Sequence, residues 1–342
     1  MLFNKIAGSI AGLTLATVTF AEPPRVVTDI APIHSLVSQV MDGVAEPSLL
    51  IKPENSPHEY TLRPSEARAL SNADVVFWIG SDLTPWLEKS LESLADSAQK
   101  VSLLETEGLT FHGFREGATF EAHAHDDHPD DHGEHDGHHD EHDEHHDEHG
   151  EHHDDHEEEH DDHHGHDHEG NDPHAWLDPV NAQIWVKQIA EVLAKEDPAN
   201  AKRYQANADS AITRLETLVN SNQAKATQLA GIKFIVFHDA YQYFERRFGV
   251  LATGALSVSD ASDPSPARVA EIRKTVADLG VTCVFTEPQY NPNMVKSVFK
   301  STKVVTKGVM DPIGASIKPG ANQYYELINN LMTSLSHCKP RI

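Results

Sequence analysis

Residues 121 to 169 hold 19 of the chain's 25 histidines and 23 aspartates or glutamates, with no lysine or arginine. No other feature limits the fold as strongly. A segment almost without apolar side chains cannot offset the entropy of ordering its backbone, so this tract is expected to be disordered. The fold must be built from the sequence on either side. Residues 1–21 are also set aside as a secretory signal peptide: Lys5, an apolar stretch from Ile6 to Phe20, then Ala21 before an acidic, proline-rich start. The 272 residues left suffice for two modest domains or one large one.

The formal charge of −27 belongs to the tract, because without its 23 acids the chain carries only −4. With no Lys/Arg-rich run in the remainder, nucleic acid is excluded as a partner. After the signal no apolar stretch reaches the ~18 residues needed to span a membrane. An exported chain with two cysteines, Cys283 and Cys338, favours a disulfide over two free thiols.

Short apolar, β-branched runs alternate with amphipathic stretches, the pattern of an α/β protein with mostly parallel sheet. The strands expected first are Arg25–Thr28, Ser48–Ile51, Val75–Ile79 and Val101–Leu104. Those of the second half are Phe234–Phe237, Val250–Ser257, Val281–Thr286 and Val304–Val309. Helices are expected around Ile33–Met41, near Pro64, after Thr84-Pro85, after Asp178-Pro179, and from Ser265, Pro292 and Gln323. Between the halves, 197–230 is glycine-free and carries Tyr204, Ala208, Ala211, Leu215 and Leu218 at helical spacing. The organisation expected is an N-terminal lobe over 22–196, a long rigid linking helix over 197–230 and a C-terminal lobe over 231–342, with a cleft between lobes.

Imidazole and carboxylate together chelate Zn²⁺, Ni²⁺ or Cu²⁺, so the tract is expected to bind several ions loosely. It also imitates peptidase motifs. His156-Glu157-Glu158-Glu159-His160 matches H-E-x-x-H, and His138–His142 matches the inverted form. That chemistry needs one face of a rigid helix beside a substrate cleft, whereas a repetitive His/Asp/Glu tract yields such matches by composition.

Three histidines outside the tract sit on stiffened backbone. His58 lies in Asn55-Ser56-Pro57-His58-Glu59-Tyr60, and His174 in Asp172-Pro173-His174-Ala175-Trp176-Leu177-Asp178-Pro179. His238 follows the strand Phe234–Phe237 at its carboxyl end, with Asp239 expected to cap the next helix. Ligands of open α/β sheets bind at the carboxyl ends of strands, where these imidazoles could converge. A His₃ set suits Zn²⁺, with water or carboxylate in the fourth tetrahedral position.

The signal peptide, S-P-H-E-Y-T-L-R-P-S, the His/Asp-rich insertion, D-P-H-A-W-L-D-P, F-H-D-A-Y-x-Y-F and T-E-P-Q together resemble the zinc-binding proteins of ABC importers, within the zinc and manganese solute-binding family. The resemblance covers nearly the whole mature chain. It implies two α/β lobes bridged by a long helix, and metal ligands at His58, His174 and His238. Asp311, in Met310-Asp311-Pro312-Ile313-Gly314, matches the family's C-lobe aspartate, with water or Glu59 as the other candidates for the fourth position. Manganese-binding relatives typically carry Glu where this chain has His238, and imidazole suits Zn²⁺ better. The pair Cys283–Cys338 resembles the C-lobe disulfide of the zinc proteins. His34 reads as a surface or supporting residue. Glu287 and Tyr290 are as readily ordinary loop residues and stay off the ligand list.

The expectation is therefore a periplasmic, monomeric, non-enzymatic protein that binds Zn²⁺ as cargo and delivers it to an ABC permease with its cytoplasmic ATPase. The tract would act as an auxiliary low-affinity collector or sensor. The rivals are a manganese or other divalent-metal importer component, a secreted zinc hydrolase, and a metal buffer or adhesin without a transporter.

Overall fold

Each half of the chain builds one four-stranded sheet, and the two sheets share a topology. The computed structural model describes residues 22–115, 117–120, 170–257, 265–300, 302 and 304–338. The expected signal peptide (1–21) and histidine tract (121–169) lie outside the described residues. The first sheet contains β1 (Val26–Thr28), β2 (Ser48–Leu49), β3 (Val75–Trp78) and β4 (Gln99–Ser102), ordered β2-β1-β3-β4 and parallel throughout. The second contains β5 (Phe234–His238), β6 (Gly254–Ser257), β7 (Cys283–Thr286) and β8 (Val305–Val309), ordered β6-β5-β7-β8 and again parallel. In both, the chain leaves the first strand to one side and returns on the other. The crevice at that switch lies beyond the carboxyl ends of β1 and β3, or of β5 and β7.

In the second sheet, strand β5 is buried on both faces. Along β5, Phe234 and Val236 enter the main core, whereas Ile235 and Phe237 join a smaller cluster with Ile272, Val284 and Val298. That two-sided burial is why β5 reads as an apolar run from Phe234 to Phe237.

The helices are α1 (Ala31–Val40), α2 (Pro64–Ser71), α3 (Pro85–Leu94), α4 (Pro179–Glu196), α5 (Ala201–Ala226), α6 (Gln242–Phe248), α7 (Pro266–Leu279), α8 (Pro292–Phe299) and α9 (Gln323–Ser336). Five begin on a proline, whose fixed φ and missing N–H suit the first turn. Asp178, Ser265 and Asn291 cap α4, α7 and α8 with their side chains.

Several boundaries depart from the sequence expectation. α5 spans 26 residues, about 39 Å, rather than 197–230. Asp197 stays outside it because its carboxylate accepts from the Asn200 amide (2.7 Å) and the Tyr204 hydroxyl (2.9 Å). Strand β4 starts two residues early, at Gln99, and Leu103–Glu105 form a 3₁₀ turn. Only the end of Val250–Ser257 is strand, because the carboxylate of Glu245 takes the Ala252 N–H (3.0 Å) and holds 250–252 against α6. Asp239 caps nothing: α6 starts after Tyr241, and Asp239 pairs with Arg115 instead.

Buried Tyr204, Ala208, Ala211, Leu215 and Leu218 seat α5 against α4, α1 and α9. From the second half, α9 crosses to the first, where the Tyr324 N–H donates to the Ser35 hydroxyl (3.0 Å). One hydrophobic cluster therefore runs through both halves. Cys283 on β7 is disulfide-bonded to Cys338, just after α9, with Cα atoms 5.8 Å apart. Among the described residues no helix is long and apolar enough to cross a membrane.

Candidate metal site

The first sheet presents His58 on the loop that follows β2. This loop is stiffened from two sides. The Trp86 indole N–H donates to the Pro57 carbonyl (2.8 Å), and the Tyr60 hydroxyl reaches the Glu66 carboxylate on α2 (2.9 Å). His174 stands at the head of the short 3₁₀ turn Ala175–Leu177 that runs into α4. His238 is the last residue of β5, at the switch point of the second sheet.

The three rings converge. Their centroids lie 5.4 Å apart for His58 and His174, 5.4 Å for His174 and His238, and 6.3 Å for His58 and His238. One nitrogen from each lies within 4.8 Å of the other two. Tetrahedral zinc, with Zn–N near 2.0–2.1 Å, needs nitrogens about 3.3 Å apart, so a small closure brings all three into range. His174 and His238 are buried and His58 partly so.

The two buried histidines are held alike. A carboxylate oxygen of Asp172 accepts from the His174 N–H (3.0 Å) and lies 2.7 Å from His174 Nδ1. Glu287, just beyond β7, takes the His238 N–H (3.2 Å) and lies 2.7 Å from His238 Nδ1. With Nδ1–H donated to carboxylate, the tautomer is fixed, the ring cannot swing, and Nε2 becomes the basic, ligating nitrogen. Burial pushes the Asp172 carboxyl up to about 6, opposed by the His174 backbone N–H and the Gln242 amide.

The walls are Pro57, Trp176, Gln289, Tyr290, Pro312 and Ile313, together with the histidines and Glu287. Tyr290 stacks on Phe237 at 4.1 Å. Its hydroxyl and the Gln289 side-chain oxygen are buried with no hydrogen-bond partner among the described residues, so polar capacity remains beside the histidines. Trp176 is fixed by its indole N–H donating to the Pro312 carbonyl (2.7 Å), a bond between halves.

Asp311 is not brought into the histidine group. Its carboxylate instead accepts from the N–H groups of Ile313 (3.1 Å), Gly314 (2.8 Å) and Ala315, closing the turn that carries Pro312 and Ile313 to the pocket. Glu59 is exposed. His34 contacts the Pro47 carbonyl (3.1 Å) and is not in the group. The sequence reading missed the roles of Asp172 and Glu287. The available signal was an acid two residues before one histidine and an acid directly after the strand beside the other.

The family profile described as zinc-uptake complex component A, periplasmic, matches residues 26–338. A Brucella abortus protein named high-affinity zinc uptake system protein ZnuA is 44% identical, over 94% of this chain and 93% of its own. A protein of the same name from Paracoccus denitrificans is 44% identical, over 95% and 94%. Among solved structures, the periplasmic zinc-binding protein TroA from Treponema pallidum superposes with a TM-score of 0.70, over 93% of this chain and all of its own, at 19% identity. That last likeness concerns the fold alone.

Proposed function

The chain belongs to the periplasmic zinc-uptake component A family, and from that premise we propose that it is the high-affinity zinc-binding protein of an ABC-type importer. In this reading it works in the periplasm as a non-enzymatic monomer. It takes Zn²⁺ as cargo and delivers it to the membrane permease, whose cytoplasmic ATPase drives uptake. Lobes over 22–196 and 231–342, joined through 197–230, close on the ion.

The observation that carries the reading is the convergence of His58, His174 and His238 within 4.8 Å, two of them oriented by buried carboxylates. Neutral imidazoles of that number and spacing suit a tetrahedral zinc ion. Asp172 and Glu287 raise the basicity of the nitrogens they face, and their charge offsets the incoming dication. Water takes the fourth position, with the Tyr290 hydroxyl and Gln289 oxygen available to hold it. Asp311 is engaged by backbone N–H groups and supports the pocket instead of ligating. Glu287 is spent on His238, leaving the site without the carboxylate oxygens that manganese favours. The histidine tract serves as an auxiliary low-affinity collector.

The test is metal competition on the mature chain. Zinc is expected to displace bound Mn²⁺ at near-stoichiometric concentration and to resist a large Mn²⁺ excess. Retention of Mn²⁺ against equimolar Zn²⁺ would overturn the assignment.

A further inference from the structure

Beyond the three histidines and their carboxylates, the structure contains a second buried cluster of charges, and it lies on the segment that leads into the histidine tract. Arg115 is almost buried. Its guanidinium Nε lies 3.0 Å from both carboxylate oxygens of Asp239, and Nη2 also reaches Asp239. Its Nη1 donates to Glu245 at 2.7 Å, and Nη2 donates to the same carboxylate at 3.1 Å. Side-chain exposures of 13% for Arg115, 8% for Asp239 and 0% for Glu245 put this among the least solvated ion pairs of the described residues. The ring of Phe120 covers the guanidinium at 3.7 Å. Asp239 directly follows His238, and the Ala240 N–H turns back to the His238 carbonyl (3.0 Å).

The same segment is tied to the other buried histidine. The Asp172 N–H donates to the His112 carbonyl (2.8 Å), and Gly113 forms an antiparallel bridge with Asn171. The Gln242 amide donates both to the Gly113 carbonyl (2.9 Å) and to Asp172, the carboxylate that grips His174. Further along, Thr119 bridges antiparallel to Gly254, the first residue of β6. The Phe120 N–H reaches the Thr253 carbonyl (2.9 Å), and the Ala255 N–H reaches the Ala118 carbonyl (3.2 Å). Arg268 of α7 donates to the Gly117 carbonyl (3.0 Å) and to the Ala255 carbonyl (3.2 Å). Residues 112–115 and 117–120 thus form a strap from the His174 loop, past His238, onto the edge of the second sheet. Gly254 is required for its docking, because a methyl there would collide with the Ala118 carbonyl oxygen.

We propose that this strap sets the separation and relative orientation of His174 and His238, with Arg115 as the positioning residue that locks it beside His238. The proposal rests on the reading that these histidines hold zinc. One end of the strap is hydrogen-bonded to the backbone two residues before His174. Its middle holds the side chain next to His238, and its far end is fixed to the sheet that carries His238. The distance between the two ligands is therefore a property of the strap as well as of the two sheets. Loosening it lets the pair drift from tetrahedral spacing and shortens zinc residence without removing a ligand.

The experiment uses the mature chain and compares wild type, Arg115→Lys, Arg115→Met, Gly254→Ala and His238→Ala. Zinc release into excess chelator, the d–d absorption of the Co²⁺-loaded protein and apo thermal melting are measured for each. Arg115→Met strands two buried carboxylates and is the variant at risk of misfolding. Gly254→Ala displaces the strap with every charge retained. The proposal predicts zinc release about tenfold or more faster in Gly254→Ala and in folded Arg115→Met, with an altered Co²⁺ spectrum and unchanged stoichiometry. Arg115→Lys is expected in between, because it keeps the charge and loses the fork. Wild-type release and spectra in Gly254→Ala and Arg115→Lys, with only the melting temperature lowered, would overturn it. Wild-type release in His238→Ala would instead sink the site on which it rests.

Discussion

Asp172 and Glu287 do for the site what the histidines cannot do alone. An imidazole on a free rotor loses orientational entropy when it binds a metal, whereas one already held at backbone N–H and Nδ1 has lost it on folding. Asp172→Asn and Glu287→Gln are therefore expected to weaken zinc binding by about 10–100-fold each with stoichiometry unchanged, as read by chelator competition. Loss of less than about twofold in both would remove them from the account. Asp29 carries a different consequence. It is fully buried at the end of β1, takes the N–H groups of Ile30 and Ile79 (2.7 Å each), and is pushed by burial up to about 7. A carboxyl with a raised folded pKa contributes stability that is complete below its unfolded value near 4 and is lost as pH rises through about 7. Between those limits the wild type should lose about 2–4 kcal/mol relative to Asp29→Asn in urea unfolding of the apo protein. Parallel stability curves for the two would contradict that.

At the level of elements, helix starts were the most legible feature. Proline in the first turn of α2, α3, α4, α7 and α8 fixes where each begins, whatever the tertiary contacts. Strand ends were less so. Val250 reads like the residues of β6, yet the Glu245 carboxylate in α6 takes the Ala252 N–H that a strand would have used. Asp239 likewise sits where a cap belongs, and a distant arginine claims it. Such long-range ion pairs leave no periodic trace in sequence. Asp178 shows the opposite case, because its cap was readable from Asp-Pro and its second partner was not. It accepts the Val180 N–H (2.8 Å) and a bidentate pair from Arg247 of α6 (2.7 and 2.6 Å). Asp178→Ala should cost about 2–4 kcal/mol in denaturant unfolding, more than the ~1 kcal/mol of a lost cap. A cost of 1 kcal/mol or less would mean the ion pair adds nothing.

Across the whole molecule, the two-sheet plan followed from alternating strand and helix patterns, and the three candidate histidines from proline-flanked loops at His58 and His174, a strand end at His238 and the resemblance of their motifs. The sharing of one core was not legible. α9 reads as an ordinary helix, but Tyr324 and Tyr325 tie it to α1 through the Ser35 hydroxyl and the Gln39 side chain. The disulfide fastens the far end of α9 to β7 across a separation of 55 residues. Reduction, or Cys283→Ser with Cys338→Ser, should lower stability by about 2–4 kcal/mol. An unchanged urea midpoint on reduction would contradict the role given to it. The strap from His112 to Arg115 and Gly117 to Phe120 was invisible for the same reason as the shared core, since its partners are distant in sequence.

The central claim is that the tight zinc site is made by His58, His174 and His238 and not by the histidine tract. A chelator-competition zinc titration at neutral pH, on mature protein with and without residues 121–169 and on His58→Ala, His174→Ala and His238→Ala, addresses it most directly. One tight site that survives deletion of the tract and weakens at least about tenfold in each single variant is the result predicted. Tight binding that disappears with the tract and is indifferent to the three histidines would contradict it.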